Sequence, residues 1–456
     1  MFQSDIDGGW AWVILGVSFC GMLLTGFHVY SLGIIMAALL DEIESDLTRV
    51  SWVGSIYTAA LTLSGPLIGW VINRYGCRVA AFCGGMCHLS GMICAFFATN
   101  ISILIVTFSF LGGIGMGFCL TSSLVVSGYY FKKYRPMASG ITVSGAAFGM
   151  FVGPPVIRLL IDNYMLRGTF LVLGALGANM FVLGMLMRPS PTEKDNFRKD
   201  AGKGNSARQS SSQVRNQLLR ITSAFKDVVG IVKNGPFLCY LFSTFAFSCG
   251  ETAAIYHLPN YSQEQGTSKM ASATLMTAMG VTSLCSRLLT GFAASDPNIG
   301  PELLLTGMMG MIGILTITFP LYSATFGSQV LYAAGYGLYS GGINAVMTPL
   351  TAELISLEKL AIGFGLLCFT SGIGCLIGAP IAGVIVDSGG TYTHSYIYAG
   401  TALLLGSAVS VPISLRDRDS VTWKAVERMD ATIDVVAETE QLKTHDITMD
   451  DDGIPV

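Results

Sequence analysis

Twelve apolar stretches run through this chain, roughly 10–39, 51–72, 79–98, 103–130, 137–161, 168–187, 236–258, 271–294, 303–323, 329–350, 361–386 and 394–415. A helix that crosses a bilayer takes about 20 mostly apolar residues, and each stretch meets that length. In hydrocarbon no water is at hand to satisfy backbone N–H and C=O groups, so each stretch must close its hydrogen bonds within itself as a helix. The expected fold is therefore all-α and polytopic. Charge agrees: 12% of the 456 residues are charged, against about 25% in soluble chains. The 54 glycines fit the same reading, because glycine is enriched in membrane helices. The bilayer is the partner this composition demands. A net charge of −3, with no Lys/Arg cluster interleaved with aromatics, excludes nucleic acid.

The polar remainder sets the layout. Between segments six and seven lies one long Ser-, Lys- and Arg-rich stretch, 188–235, containing AGKGNSARQSSSQ. It reads as a flexible cytoplasmic linker with a short amphipathic helix before segment seven. A polar, acidic tail follows segment twelve. The expected divisions are 1–187, an N-terminal six-helix bundle; 188–235, the linker; 236–415, a C-terminal six-helix bundle; and 416–456, a cytoplasmic tail. Most of the 26 basic residues fall on the side that holds both termini, among them Arg74, Arg78, Lys132, Lys133 and Arg135. The positive-inside rule makes that side cytoplasmic. Arg49, Arg167 and Lys269 fall outside, where the first loop, DEIESDLTR, is acidic. Two N-x-S sequons, at Asn100 and Asn260, lie in short outer loops. The first apolar run lacks a basic leader and is too long for a cleaved signal, so it reads as a helix that stays. Most of the eleven cysteines sit in apolar runs and no C-x-x-C occurs, which makes them packing residues rather than a disulfide frame or a zinc site.

Segments five and eleven resemble each other. SGAAFGMFVGPPVIRLLID (Ser144 to Asp162) and SGIGCLIGAPIAGVIVD (Ser371 to Asp387) both open on Ser-Gly, space glycines along the helix, carry proline near the middle and end at Asp. They lie about half the chain apart. Parallel duplication of a six-helix unit resembles the major facilitator superfamily, whose two bundles rock about a central site. The run Gly69 to Arg78 resembles that superfamily's loop between its second and third helices, with Asn73 where the loop has Asp. The resemblance gives Arg74 a role in holding cytoplasmic helix ends together.

Two further stretches narrow the resemblance. Asp7-Gly8-Gly9-Trp10-Ala11-Trp12 opens segment one, and YFKKYRPMASG (Tyr130 to Gly140) joins segments four and five. With VSWVGSIY (Val50 to Tyr57) and Met187-Arg188-Pro189, they resemble the monocarboxylate transporter family over both halves, outside the linker and tail. On physical grounds Trp10 and Trp12 belong at the inner interface, where indoles favour the headgroup zone. Lys132, Lys133 and Arg135 belong to a loop anchor. The resemblance implies alternating-access transport of a small organic anion across the plasma membrane without a cofactor. It also implies a single-span immunoglobulin-like ancillary subunit.

An ionisable residue in mid-membrane marks function by default. Arg287, in TLMTAMGVTSLCSRLLTGF, lies well inside segment eight without an acidic neighbour within a turn. A guanidinium can hold a carboxylate through two parallel N–H donors, and the family's arginine in this segment has that role. The chain departs from the proton-coupled members at two places. Tyr30 stands where they have lysine, and Ser283 where they have aspartate. Their Lys–Asp–Arg relay, which moves a proton with the carboxylate, is therefore missing. The expected substrate-binding set is Arg287, Tyr30, Ser283, Asn344 and Thr348, with Thr121 and Ser122 on pore-lining segments. Glu251 in segment seven and His28 are the coupling candidates. Helix rise sets Glu251 roughly 10–15 Å above Arg287, so an ion pair looks strained and a zwitterionic substrate could bridge part of the gap. His88 is expected to join helices, Arg158 to snorkel to the interface, and His257 to lie near the exit.

No enzymatic constellation is present. AGKGNS lacks Walker spacing, H-E-x-x-H and G-x-S-x-G are missing, and GGIGMG lies within segment four. A transporter-like receptor that binds without moving its ligand, a channel, and a carrier of an aromatic amino acid or other zwitterion without proton coupling stay open as alternatives.

Overall fold

The computed structural model describes residues 8–43, 46–131, 135–188, 233–293, 300–355 and 360–414. Those residues are almost wholly helical. The linker core, the whole tail 416–456, Asp7, Lys132 and Lys133 lie outside them, as do the side chains of Asn73, Arg135 and Thr348.

Segment one is two helices, Trp10–Val29 and Leu32–Glu42, where the sequence predicts one. The cause is local. Ser31 Oγ donates to the carbonyl of Phe27 at 2.6 Å, a back-bond that bends helices, and Tyr30 is left at the break. Segment four contains a π-helical turn, Ile105–Leu111, between Ile101–Leu104 and Gly112–Tyr130. Its Phe108 packs on the buried Tyr57 ring at 5.2 Å.

Two continuous helical runs each hold a reversal. In Gly65–Phe96 the backbone leaves helical geometry at Gly76 (φ 89), and in Arg135–Leu186 at Met165 (φ 57). The order of contacts shows the chain turning back at both. Gly113 meets Tyr57 and Gly117 meets Leu61, so segments two and four run the same way. Gly91 meets Thr107 while Gly84 meets Phe118, so segment three runs against segment four. Likewise Gly145, Gly149 and Gly153 meet Phe19, Leu23 and Phe27 in parallel, whereas Gly174, Gly177 and Gly184 meet Met92, His88 and Ala81 in antiparallel order. Segments seven to twelve are Gly235–Glu264, Lys269–Ala293, Pro301–Tyr322, Phe326–Leu354, Leu360–Asp387 and Tyr392–Ser414. Every predicted stretch thus has its helical rod, twelve in all.

By length and composition, 9 runs among the described residues qualify as membrane spans, one of them, Gly140–Leu186, holding segments five and six together. Segments eight and ten fall outside that set. Segment seven runs on to Glu264 and takes Asn260 into its last turns, half-buried. Asn100 caps segment four by accepting from the Ile103 N–H at 2.9 Å. Both sequon asparagines therefore belong to helices rather than to free outer loops. All eleven cysteines are free thiols.

Close approach of backbones organises the packing, as expected where lipid removes the hydrophobic drive between helices. A Cβ on Gly149 would lie 2.5 Å from the Phe27 amide nitrogen, and one on Gly374 would lie 2.6 Å from the Phe245 carbonyl. Segment five thus packs on one as eleven packs on seven. Segments four and two match ten and eight, where Gly337 and Gly341 lie on Met279 and Ser283. Segments six and three match twelve and nine, where Gly313 and Gly400 lie on Leu404 and Ile317. The internal repeat read from two segments extends through these helix pairs.

The halves meet along two seams. Segment five meets eight, with Gly280 on Phe151 and Thr277 Oγ1 donating to the Phe151 carbonyl at 3.1 Å. Segment two meets eleven, with Gly383 on Thr48 and Gly372 on Thr62. At the end remote from Trp10 the seams are latched. Asp387 accepts from Thr48 N at 2.6 Å and from Leu47 N at 3.3 Å, which caps the first turn of segment two from the other half. Lys269 pairs with Asp41 at 2.5 Å. Residues to Val411 pack as one compact unit, and a second begins at Pro412, where the described residues 412–414 are helical.

Gly149→Ala is expected to lower the thermal unfolding temperature of the detergent-solubilised protein by several degrees, because overpacking costs about 1–3 kcal/mol. Gly128→Ala, where a Cβ meets open space, should leave it unchanged or raise it. Equal behaviour of the two variants would contradict the seam geometry.

Candidate functional site

The break in segment one sets Tyr30 at the junction of the two halves. Its phenol lies in the electrostatic field of Arg287 and of Glu251. Arg287 is half-buried. Its Nη1 donates to the Val143 carbonyl on segment five at 2.8 Å, while its Nε is buried without a partner. A guanidinium carries five donors, and no acid neutralises this one directly. Arg287 therefore keeps donors to offer.

Glu251 is also half-buried. Glu251 and Arg287 lie in each other's electrostatic field, and among the described residues the two form no ion pair. Around Glu251 are Tyr30, Tyr256, Tyr336 and Cys375. Tyr256 donates to Thr58 Oγ1 at 3.1 Å, across the halves, and the buried Tyr336 hydroxyl has no partner. Beside Cys375, Ser248 and Ser371 share a hydrogen bond of 2.7 Å. Sequence reasoning missed Tyr256 and Tyr336. The signal was there: tyrosines on segments seven and ten, within apolar runs, whose hydroxyls must find a use.

Other predicted positions do not join this cluster. Ser283 is buried with its hydroxyl against Gly341, in the seam between eight and ten. Asn344 is half-buried and donates to Ser340 of its own helix at 3.2 Å. Ser122 is buried and back-bonded to Phe118 at 2.7 Å, and Thr121 is half-buried beside it. His28 points away from the site. It is 2% exposed, donates from Nδ1 to Leu24 O (2.8 Å) and packs edge-on to His88 with ring centres 4.7 Å apart. That pair joins segments one and three inside the first half, so His28 is displaced from the coupling set. His257 does not line an exit: it is fully buried, with Nε2 at 3.2 Å from Ala379 O and 3.4 Å from Ser51 Oγ. Arg158 does not snorkel. It is 8% exposed and paired with Asp162 one turn along.

A second constellation sits at the end of segment six. Three consecutive carbonyls there have lost their helical partners, as the last turn of any helix does, and three side chains supply them. Trp10 Nε1 donates to Leu186 O (3.3 Å), Arg78 Nε to Met187 O (3.0 Å) and Tyr130 Oη to Arg188 O (2.9 Å). Arg188 covers the Trp10 ring at 3.7 Å. The motifs at Trp10, Tyr130 and Met187 thus meet in space and bind segments one, three, four and six together. Gly9 enters this tie at φ 52, which favours glycine, and Gly8 O accepts from Ala11 N at 3.0 Å. Trp10 is half-exposed and held by these contacts, while Trp12 is 49% exposed and Arg74 is exposed.

With this geometry in place, likeness to known proteins is informative. The Major Facilitator Superfamily pattern matches residues 18–347, and the chain belongs to that superfamily. Monocarboxylate transporter 2 of Mus musculus is 27% identical over 438 residues, which cover 93% of this chain and 89% of that protein. Monocarboxylate transporter 13 of Bos taurus is 29% identical over 408 residues, 89% and 90% of the two chains. Two solved structures share the fold. A POT family transporter in complex with 5-aminolevulinic acid has TM-score 0.68 at 15% identity, covering 88% of this chain and 96% of that one. The xylose transporter XylE from E. coli, in a partially occluded inward-open conformation, has TM-score 0.64 at 14% identity, covering 88% and 98%. The protein is a multi-pass membrane transporter of this superfamily, homologous to the monocarboxylate transporters.

Trp10→Phe keeps the ring and removes the donor to Leu186. It is expected to cost about 1 kcal/mol, seen as a lower unfolding temperature in detergent with an unchanged KM. A changed KM at unchanged stability would move this tie into the transport pathway.

Proposed function

We propose that the protein carries a small carboxylate-bearing organic anion across the plasma membrane by alternating access, with both termini cytoplasmic. Residues 1–187 and 236–415 are the moving bundles, joined by the linker 188–235 and followed by the tail 416–456. Arg287 holds the carboxylate.

The observation that carries this reading is the guanidinium of Arg287, half-buried at the junction of the halves, tied to one carbonyl and opposed by no touching acid. An arginine so placed is costly in a membrane unless something anionic meets it. A carboxylate can accept two parallel N–H bonds from it, and Tyr30 can add its hydroxyl. The homology to monocarboxylate transporters supports the same cargo class.

Coupling to a proton by the family's usual route lacks its residues here. Tyr30 stands in the lysine position, and Ser283 in the aspartate position lies against Gly341. The reading is therefore a facilitative carrier.

In proteoliposomes holding the purified protein, Arg287→Ala is expected to cut carboxylate uptake at least about 100-fold. Each charged hydrogen bond lost is worth about 1.5–3 kcal/mol, and two are lost. Arg287→Lys should fall between, since it keeps the charge and loses the fork. Uptake with an unchanged KM in Arg287→Ala would remove the reading.

A further inference from the structure

His257 sits in the seam where segments two, seven and eleven meet, and it is fully buried. Its Nε2 lies 3.2 Å from the Ala379 carbonyl and 3.4 Å from Ser51 Oγ. Ser51 spends its own hydrogen on the Leu47 carbonyl at 2.7 Å, so its oxygen can only accept from the ring. A carbonyl can only accept as well. The imidazole hydrogen is therefore on Nε2, and Nδ1 is a bare lone pair, buried without a hydrogen-bond partner. Ser51 belongs to the first half, His257 and Ala379 to the second, so this bond crosses between the bundles. Gly383 of segment eleven packs on Thr48 and Ser51 and keeps the seam tight beside it. One turn further out along segment two lies the clasp of Asp387 on Leu47 and Thr48.

We propose that His257 makes the clasped gate respond to acid: a proton taken up on Nδ1 while the seam is parted keeps it from closing. In the closed seam a second imidazole proton meets no acceptor, and an unpaired charge buried there is costly. Once Ser51 and His257 separate, water reaches the ring, and an ordinary imidazole takes up a proton near about pH 6.5. The parted form therefore binds more protons than the closed one, so acid favours the parted form. With the clasped end outside, as in the orientation proposed above, the acid that counts is external. The proton leaves toward the same side before the seam closes, so it sets the gate and is not carried across.

Other titratable groups stand on each wall of this place. On segment two, Asp46 accepts from Thr48 N and Arg49 N and lies 3.5 Å from the Arg49 guanidinium. On segment eleven, Asp387 is held by Leu47 and Thr48. Asp41, at the end of segment one, pairs with Lys269 of segment eight. Ordinary aspartates titrate near about pH 4, and lysine, arginine and tyrosine near about pH 10 or above. That removes these groups, along with Tyr332 and Tyr336 on segment ten and Tyr392, whose ring centre is 6.1 Å from His257. Segment twelve also brings the exposed His394, whose Nδ1 accepts from Thr391 N at 3.2 Å. Segment seven itself carries Glu251 toward the centre and the exposed Glu264 near its end. None of these groups bonds to Nδ1 of His257. Glu251 and His394 are the two whose titration has to be told apart from it.

The test uses the full chain without cargo, freed of native cysteines and purified in detergent, with one cysteine placed at Ser55 to read the gate. Ser55 is fully buried on the same face of segment two, one turn inward from Ser51, with no partner for its hydroxyl. Its rate of labelling by a water-soluble maleimide is divided by that of a cysteine at the exposed Ala324. The division removes the pH dependence of the thiol reaction itself. The ratio is expected to rise about 10-fold between about pH 7.5 and about pH 5.5, as the protonation of an ordinary histidine dictates. His257→Gln keeps an N–H donor, cannot titrate, and should hold the ratio flat over that range. Should that variant fail to fold, His257→Asn is read in the same way. Asp387→Asn, which loosens the clasp and keeps His257, should raise the ratio at both pH values and preserve the rise. Glu251→Gln and His394→Asn should preserve it too. A flat or falling ratio in the parent protein overturns the proposal. So does a rise that survives the loss of His257, or one that vanishes in Glu251→Gln or His394→Asn.

Discussion

A guanidinium within a membrane protein has to be solvated by something, and here the protein supplies very little. Arg287 receives one backbone carbonyl from segment five and lies in the field of the Tyr30 phenol and of a carboxylate it does not touch. These influences come from both halves. Its carbonyl partner among the described residues, Val143, belongs to the first half while the arginine belongs to the second. Any rocking of one half against the other therefore changes how this cation is satisfied. A bound carboxylate that replaces the lost carbonyl would lower the cost of that motion, which is what a carrier asks of its cargo.

The seams are built to permit such motion. Where backbones touch through glycine there are few side chains to unlock, and sliding disturbs mainly dispersion contacts and a few hydrogen bonds such as Thr277 to Phe151. The specific bonds are concentrated at one end. Asp387 supplies acceptors to the first two amides of segment two, Lys269 meets Asp41, and His257 reaches Ser51. A helix N-terminus offers unpaired N–H groups and a positive dipole end, so an aspartate from the opposite half makes a reversible clasp there. Asp46 already caps the same turn through Thr48 and Arg49. Segment two thus keeps a cap of its own when Asp387 withdraws. At the other end, the carbonyls of residues 186–188 bind four segments of the first half to one another and to nothing in the second. One end holds a bundle rigid; the other holds two bundles together.

Much of this was legible in the sequence, and the reason is physical. Hydrocarbon forces each span to be a long apolar helix, so apolar length marks most of the rods. Glycines at four-residue spacing mark the faces that touch, and the similarity of segments five and eleven announced a repeat that the other pairs obey. Arg287 stood out because a charge in an apolar run is rare. What stayed hidden depends on side-chain direction. Ser31 looks like any small polar residue until its back-bond to Phe27 breaks the helix and positions Tyr30. Ser283 shares a face with Arg287 by periodicity, yet Gly341 opposite it leaves a gap that its hydroxyl fills. His28, two residues before Tyr30, faces another side of the helix, and only the fold shows the neighbouring His88 that holds it. The motifs around Trp10 and Tyr130 were recognisable as words, but their shared object, a helix end far along the chain, needed three dimensions.

The central claim is that cargo moves only when the clasped end opens. Cysteines placed at Thr48 and Asp387 in a background lacking native thiols, joined by a short bifunctional thiol reagent, test it directly. Uptake into proteoliposomes should stop on joining and resume when a cleavable linker is cut, with binding of cargo from the opposite face retained. Transport that continues at full rate across a joined seam would contradict the account.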